Sequence, residues 1–335
     1  MGTSANTRRE FLGTGAGVAA SALLLSSLPA KAEERPKGEE HWTVKKTPQG
    51  DVRLFLWRKR TADASKGTLV FTHGSSVQSG PTFDLQIAGK PEYSVMDWFA
   101  RRGYDTWCFD CEGYGRSDKS RPVNADIACG ADDLAAVSEY VMKQVNRKLL
   151  LYGASSGALR AGLFAQRHPE RVERLALDAF VWTGEGSPTL AQRKKRLPQY
   201  RASNRRPIDR AFVRTIFTRD GHGDAYDPKV VEAFADAVLA LDSSMPTGTY
   251  VDMSANLPVV DPARLNVPTL IMRGQWDGIA TMADLINFFS RLPHPDKQLT
   301  VMQGIAHSSL RSQNWQMVFH LLDSWMSRPA VAYKG

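Results

Sequence analysis

Short apolar runs alternate with longer stretches of helical periodicity along most of the chain. The apolar runs are HWTVKK, VRLFLW, GTLVFTHG, YDTWCFDCEG, KLLLYGAS, VERLALDAFV, PTLIMRG and QLTVMQG. The first two flank a turn that contains Pro48 and Gly50, which favours a hairpin. Helix-like segments separate the later runs, at 94–102, 127–146, 158–168, 282–292 and 314–326. The alternation predicts an α/β fold in which helices flank a mostly parallel eight-stranded sheet.

One insertion interrupts this alternation. About eighty residues, 183–267, separate the sixth apolar run from the seventh, which is far more than a crossover needs. Within it, Ile208, Phe212 and Ile216 recur at helical spacing, and VVEAFADAVLALDSSM predicts a second helix that Pro246 closes. We therefore expect a helical cap over one end of the sheet. The predicted organisation is a cap at 183–263 between two parts of the core, 33–182 and 264–335.

The first 32 residues have the layout of an export signal. The sequence TRREFL at 7–12 precedes an apolar, small-residue stretch at 13–28, and AKA follows at 30–32. The paired arginines resemble a twin-arginine signal, which implies recognition by the twin-arginine export machinery. We expect cleavage near Ala32 and a periplasmic or secreted mature protein. The apolar stretch is short and rich in Gly, Ala and Ser, so a stable membrane anchor is not expected.

Composition and charge narrow the range of functions. Hydrophobic residues make up 42% of the chain and charged residues 23%, the balance of a globular protein. Loss of residues 1–32 lowers the formal charge from +8 to +6, so the mature protein stays basic and favours anionic substrates on encounter. Zinc-finger spacings and aromatic-interleaved basic motifs are absent from the sequence, so nucleic-acid binding is not expected. The C-x-x-C pair Cys108 and Cys111 is expected to pack as small apolar side chains.

The pentapeptide GASSG at 153–157 follows one apolar run and opens a helix-like segment. It is either a glycine-rich packing turn or a sharp bend that exposes the hydroxyl of Ser155. A serine becomes a nucleophile when a base takes its proton and a third group orients that base. Asp277 and His307 each follow a later apolar run, so the chain supplies both groups at the sheet edge where α/β proteins place their sites.

The order Ser155, Asp277, His307 resembles that of the α/β-hydrolase family. Two further segments match: THGSS at 72–76 is similar to the family's oxyanion loop, and FDCEGYGRSD at 109–118 is similar to its D-x-x-G-x-G-x-S element. The resemblance covers nearly the whole chain after the signal. It implies an α/β-hydrolase fold, with the cap inserted after the sixth strand, and an enzyme that needs no cofactor and no metal.

Carried over to this chain, the resemblance implies a role for each residue. Ser155 is the nucleophile, His307 the general base and then acid, and Asp277 the carboxylate that orients His307. The backbone N–H groups of Ser75 and Ser156 would bind the developing oxyanion. A residue next to Ser75 in the HGSS loop is the alternative donor. In other enzymes, removal of one such donor raises the activation free energy by about 3 to 4 kcal/mol.

Asp178 is a rival for the orienting carboxylate because it lies near the end of the sixth apolar run. More apolar sequence, AFVW, follows Asp178, whereas a loop surrounds Asp277, so Asp277 is favoured. Ser76, Trp182 and Trp276 are expected at the substrate pocket, where the two indoles would form an apolar wall.

The predicted cap is strongly basic over a 27-residue window, 193–219. A solvated helical face is one explanation of such a run. The other is that one or two arginines bind a carboxylate of the substrate through paired N–H groups.

The expected reaction is cleavage of a small-molecule carboxylic ester, anionic or aromatic, through an acyl-enzyme. Serine at 155 argues against dehalogenase or epoxide-hydrolase chemistry, which in relatives uses Asp at that position. Hydrolysis of a lactone, an amide or N-terminal peptide bond, or a carbon–carbon bond on the same triad stays open. A non-catalytic binding protein is the alternative from another class.

Overall fold

A computed structural model describes residue 1 and residues 35–329 and 331–333. The predicted signal peptide, apart from its first residue, lies outside these described residues. Residues 36–335 form one compact unit. In the described part of that unit, every helix is too short or too polar to cross a bilayer.

Eight strands form a single sheet, in the order β1-β2-β4-β3-β5-β6-β9-β10. They are β1 (Gly38–Thr47), β2 (Gly50–Lys59), β3 (Gly67–Thr72), β4 (Tyr104–Phe109), β5 (Leu149–Ala154), β6 (Val172–Asp178), β9 (Thr269–Gly274) and β10 (Lys297–Met302). The short β7 (Arg205–Pro207) and β8 (Ser244–Pro246) pair with each other elsewhere. β1 and β2 form the predicted hairpin, β2 runs antiparallel to β4, and all later neighbours are parallel. The predicted fold class is confirmed.

Apolar residues of the central strands face two separate cores, as expected for a sheet covered on both sides. Val70 and Leu151 pack in one core with α3 (Ile127–Val145), α4 (Ser156–Arg167) and α10 (Met282–Ser290). Their neighbours Phe71 and Tyr152 pack in the other core with α2 (Val95–Ala100) and α11 (Trp315–Met326). A sixth helix, α1 (Ser79–Phe83), lies after β3. Consecutive residues thus supply both layers because side chains alternate along a strand.

The cysteines follow the same division. Cys108 is buried in the core beside α2 and α11, and Cys111 in the core beside α3 and α4. Both are free thiols, as is Cys129. The C-x-x-C pair therefore contributes to packing on opposite sides of the sheet.

A mainly helical segment separates β6 from β9. It contains α5 (Pro188–Lys194), α6 (Leu197–Ala202), β7, α7 (Arg210–Thr218), α8 (Pro228–Leu239), β8, α9 (Gly248–Val251) and a π-helical turn at Asp252–Asn256. We call this segment the cap.

One prediction about the cap is wrong: the second helix was expected to continue to Met245, but α8 ends at Leu239. Asp242 accepts a hydrogen bond from Gly115 N at 2.8 Å, and the Ser243 carbonyl accepts one from Ile208 N at 2.9 Å. These contacts with the core and with the rest of the cap replace helical hydrogen bonds, so the chain continues into β8.

Candidate active site

Ser155 lies at a sharp turn between β5 and α4. Its backbone has φ 57° and ψ −123°, a conformation that non-glycine residues rarely adopt. A Cβ atom on Gly153 would lie 2.3 Å from Gly157 O, and one on Gly157 would lie 2.2 Å from Thr72 O. Side chains at either position would collide with backbone, so the flanking glycines permit the turn. The GASSG segment is therefore a strained bend that presents one serine.

His307 and Asp277 meet beyond the carboxyl ends of β10 and β9. The ring Nδ1 of His307 lies 2.8 Å from Asp277 Oδ1, and both side chains are buried. Ile279 N also donates to Asp277 Oδ1, at 3.0 Å. Because the carboxylate accepts from Nδ1–H, the neutral ring keeps Nε2 as its proton acceptor.

Ser155 and His307 line the same narrow cavity, of about 80 Å³. Phe217 and Phe234 of the cap form part of its apolar wall, and Gly74 and Ser75 supply the loop that follows β3. The structure thus brings a strained serine, a histidine oriented by a carboxylate and a backbone loop to one apolar-walled cavity. This is the arrangement that nucleophilic acyl transfer requires.

The rival carboxylate, Asp178, lies elsewhere. Its Oδ2 accepts a hydrogen bond from Tyr152 Oη at 2.5 Å and another from Ser309 Oγ. Burial raises the pKa of Asp178 to about 6, although the two hydroxyl donors oppose the shift. The backbone carbonyl of Asp178 accepts from Ser155 N at 2.8 Å. Asp178 therefore supports the turn at Ser155, whereas Asp277 contacts His307.

The loop after β3 lies directly beside Ser155, because a Cβ atom on Gly74 would be 3.4 Å from Ser155 Cβ. His73 Nδ1 donates to the Gly74 carbonyl at 2.8 Å, in the peptide group that carries the Ser75 N–H, and Tyr114 Oη donates to the Ser75 carbonyl, in the next peptide group, at 3.0 Å. Ser156 is the first residue of α4, so its N–H lies in the first turn, where a helix offers no internal acceptor. Both proposed oxyanion donors are thus held on the rigid backbone around Ser155.

His73 has a structural place in this loop. Its Nε2 accepts from Cys111 N at 3.0 Å, so its Nδ1 carries the proton and donates to Gly74 O at 2.8 Å. Burial and the positive charge of Arg160 lower the pKa of His73 to about 3. The Arg160 guanidinium also donates to the His73 carbonyl at 3.1 Å. A neutral His73 and a buried Arg160 therefore fix the loop.

The cap supplies two polar residues, which the sequence did not indicate, to the loops that carry Asp277 and His307. Asp220 accepts from His307 N at 3.2 Å and from Gly278 N at 3.4 Å, and Tyr226 Oη accepts from Ser308 N at 3.1 Å. Burial and the charge of Asp220 raise the pKa of Asp277 to about 7, while Arg219 opposes the shift. Nothing in the local sequence around Asp220 marks it, because the contact depends on how the cap folds over the core.

Residues 64–314 match the family described as serine aminopeptidase, S33. The chain belongs to this family. It is also 32% identical over 132 residues to a 2-hydroxy-6-oxononadienedioate/2-hydroxy-6-oxononatrienedioate hydrolase of Paraburkholderia phymatum. That match covers 38% of this chain and only 39% of the relative.

Solved structures with this fold include other α/β-hydrolases. A thermophilic esterase from Thermogutta terrifontis superposes with a TM-score of 0.61 at 17% identity, over 86% of this chain and 98% of the esterase. The epoxide hydrolase VrEH1 from Vigna radiata gives a TM-score of 0.63 at 13% identity, over 87% and 98% of the two chains. At these identities the likeness shows the fold alone. The S33 family and the fold together make the protein a hydrolase of the α/β-hydrolase superfamily.

Of the three expected pocket residues of this hydrolase, Ser76 and Trp276 line a cavity and Trp182 does not. Ser76 lines both the Ser155 cavity and a second, larger cavity under the cap. Trp276 lines the larger cavity and stacks on His222, with ring centroids 3.9 Å apart. Trp182 lines neither cavity, contrary to expectation. Its Nε1 donates to Val260 O at 3.2 Å and its ring packs beside Phe288, so it belongs to the core around α10.

Proposed function

We propose that this hydrolase cleaves a carboxylic ester of a small molecule through an acyl-enzyme on Ser155. One observation carries the proposal: Ser155, in a strained turn, lines the same cavity as His307, whose ring is bonded to Asp277 at 2.8 Å. Strained backbone conformations are concentrated at active sites and ligand-binding positions.

In the proposed reaction, His307 Nε2 takes the proton from Ser155 Oγ as the oxygen attacks the ester carbonyl carbon. The negative charge that develops on the carbonyl oxygen is stabilised by the N–H groups of Ser75 and Ser156. The carbon–oxygen bond then breaks, and His307 gives its proton to the departing alcohol. A water molecule, deprotonated by His307, releases the acid and regenerates Ser155.

A second candidate is hydrolysis of a carbon–carbon bond. It is favoured by the relative from Paraburkholderia phymatum, which is named as a hydrolase of 2-hydroxy-6-oxo dienedioates and trienedioates. The family description in turn favours amide bonds at a peptide N-terminus. Lactone cleavage would use the same steps. A panel of one ester, one lactone, one aminoacyl anilide and one vinylogous 1,5-diketone, measured with the same enzyme sample, ranks these bonds by kcat/KM.

The test compares two neighbouring serines on a chromogenic ester such as 4-nitrophenyl butyrate. Ser155→Ala removes the nucleophile, so we expect kcat to fall by at least about 10³-fold. Ser156→Ala keeps the backbone N–H and removes only a buried hydroxyl, so we expect most of the activity to remain. Equal activity of Ser155→Ala and the wild type would rule out the proposal.

We also propose that the mature enzyme acts in the periplasm after cleavage near Ala32. The paired arginines at 8–9 support this assignment. Replacement of both by lysine should leave the precursor in the cytoplasmic fraction, and N-terminal sequencing of the exported wild type should begin near Glu33. Full-length protein in the cytoplasm of wild-type cells would contradict it.

A further inference from the structure

A second cavity, of about 890 Å³, lies between the cap and the loops of the active site. It shares Ser76, Ile216 and Arg219 with the Ser155 cavity. The two spaces therefore adjoin at the edge of the oxyanion loop, and a substrate bound at Ser155 can extend into the larger one.

Four arginines of the cap line this larger cavity: Arg196 is exposed, whereas Arg193, Arg206 and Arg219 are partly buried. Among the residues the structure describes, no carboxylate lies within 4.0 Å of the three partly buried guanidiniums, and Asp220 is the one carboxylate that lines the same cavity. Buried nitrogens of Arg206 and Arg219 also have no hydrogen-bond partner within residues 35–329: Nε of Arg206, and Nε and Nη2 of Arg219. We call Arg193, Arg206 and Arg219 the inner arginines.

Aromatic rings hold two of the inner arginines, Arg206 and Arg193, in place. Arg206 lies 4.2 Å from the ring centroid of Phe212 and 4.3 Å from that of Tyr250, and its Nη2 donates to Tyr250 Oη at 2.7 Å. Arg193 lies 5.1 Å from the centroid of the Tyr250 ring. Stacking fixes these planar groups, and the single carboxylate among the described residues that line the cavity, Asp220, faces three positive charges.

The outer arginines of the same cap are arranged differently. Arg214 Nε lies 2.7 Å from Glu232 Oε1, and Arg210 contacts both Glu232, at 3.0 Å, and Asp236, at 2.5 Å. Arg205 donates to two backbone carbonyls, of Gly113 and Ser244. The basic segment therefore divides into paired arginines outside and unpaired ones facing the cavity.

Grouping three like charges in a partly enclosed space is unfavourable unless an anion joins them. Burial, together with the charge of Arg219, lowers the pKa of Arg193 to about 10. Burial alone would raise the pKa of Tyr250, yet the charges of Arg206 and Arg193 lower it. Both shifts have the direction expected for a site with excess positive charge.

We propose that the inner arginines bind a carboxylate of the substrate, so that the enzyme selects acidic esters over neutral ones. Tyr250 connects this site to the reaction centre, because its Oη lies 2.6 Å from Ser76 Oγ and Ser76 follows the proposed oxyanion donor Ser75. The carboxylate would lie on the cap side of that loop, remote from the scissile bond. The selectivity part of this proposal rests on the proposed function.

The test uses two pairs of esters that differ in one carboxylate. Monoethyl adipate and diethyl adipate place the charge on the acyl side, and 4-acetoxybenzoate and its methyl ester place it on the leaving-group side. In Arg206→Gln and Arg219→Gln, we expect the ratio of kcat/KM for the acidic and neutral members of one pair to fall at least tenfold, mainly through KM. Arg219→Lys, which keeps the charge, should recover part of that ratio.

The matched control is Arg214→Gln, an exposed cap arginine whose partner is Glu232. It should leave the ratio at the wild-type value. Equal losses on the acidic and neutral members of both pairs, or the same change in Arg214→Gln, would overturn the proposal.

A binding measurement separates this proposal from the proposed hydrolysis. Calorimetry of adipate with Ser155→Ala protein should show binding that Arg206→Gln abolishes and Arg214→Gln preserves. If no ester is hydrolysed but adipate binds in this pattern, the ester assignment fails and the carboxylate site stands. If adipate does not bind to Ser155→Ala protein, the carboxylate site is wrong.

Discussion

Ser155 occupies a left-handed backbone conformation with φ 57°, and the surrounding structure holds it there. Its N–H donates to Asp178 O, and its carbonyl accepts from Ala158 N at 2.9 Å. Such a conformation costs about 1–3 kcal/mol, which the neighbouring hydrogen bonds and packing must offset. The strain is understandable if its effect is to present the hydroxyl toward His307.

The two buried carboxylates near this turn can be distinguished by substitution. Asp277→Asn keeps the shape but offers His307 an amide that favours the wrong ring tautomer, so kcat should fall by about 10³- to 10⁴-fold. Asp178→Asn can still accept from Tyr152 and Ser309, so kcat should fall by less than about tenfold. Steady-state kinetics on one ester decides between them, and the reverse order of losses would assign the orienting role to Asp178.

Much of this site could be predicted from the sequence. The nucleophile, histidine and favoured acid each follow a strand, and parallel strands deliver such residues to one edge of the sheet. The pairing of Asp178 with Tyr152 and Ser309 could not be predicted, because it joins β5, β6 and a late loop. Trp182 was misplaced for a similar reason: its position after β6 is right, but its side chain packs against α10.

The strand–turn–helix unit formed by β5 and α4 depends on close backbone contact at two glycines. Alternating apolar runs made both elements predictable, since the period changes from strand to helix at the turn. The end of α8 was not predictable in this way. Apolar periodicity continues past Leu239, and the tertiary contacts of Asp242 and Ser243 decide where the helix stops.

Two glycines of α4 provide a matched pair of variants. A Cβ atom on Gly157 would lie 2.2 Å from Thr72 O and 2.6 Å from His73 O, so Gly157→Ala should displace the oxyanion loop. We expect the free energy of unfolding to fall by about 2–3 kcal/mol, and most of the activity to be lost. Urea denaturation and ester kinetics on the same protein measure both effects.

Gly162→Ala is the control, because its Cβ atom would meet side-chain atoms and no backbone: Val260 at 3.3 Å and Leu177 at 3.8 Å. Alanine also favours a helix interior by about 1 kcal/mol over glycine. Activity should therefore stay at the wild-type level, and the unfolding free energy should change by less than about 1 kcal/mol. Equal effects of the two substitutions would show that the tight contact at Gly157 is unimportant.

Across the whole molecule, the cap does more than cover the site. Asp220 and Tyr226 bond to the backbone of the histidine loop, and the inner arginines line the adjoining cavity. The basic character of residues 193–219 is evident from the sequence, but the division of the cap arginines into paired and unpaired groups is not. That distinction depends on which helix faces point outward, and hence on packing.

The cap should also influence the pH dependence of the enzyme. Asp277 must be ionised to orient His307, and its pKa is raised to about 7 by burial and by the charge of Asp220. Asp220→Asn removes that charge, which lowers the pKa of Asp277 and keeps it ionised in more acidic solution. The acid limb of the kcat/KM profile should therefore shift to lower pH.

Asp224→Asn is the matched control, since Asp224 is an exposed carboxylate in the same part of the cap. It should leave the acid limb unchanged. An unshifted profile for Asp220→Asn, or an equal shift in Asp224→Asn, would contradict electrostatic coupling between Asp220 and the triad.

The most direct test of the central claim is covalent labelling with a fluorophosphonate, followed by mass spectrometry of the tryptic peptides. The account predicts one phosphonate per chain, on Ser155, formed rapidly in the wild type and at least about 10²-fold more slowly in His307→Ala. An unlabelled chain, or a label on another serine, would contradict it.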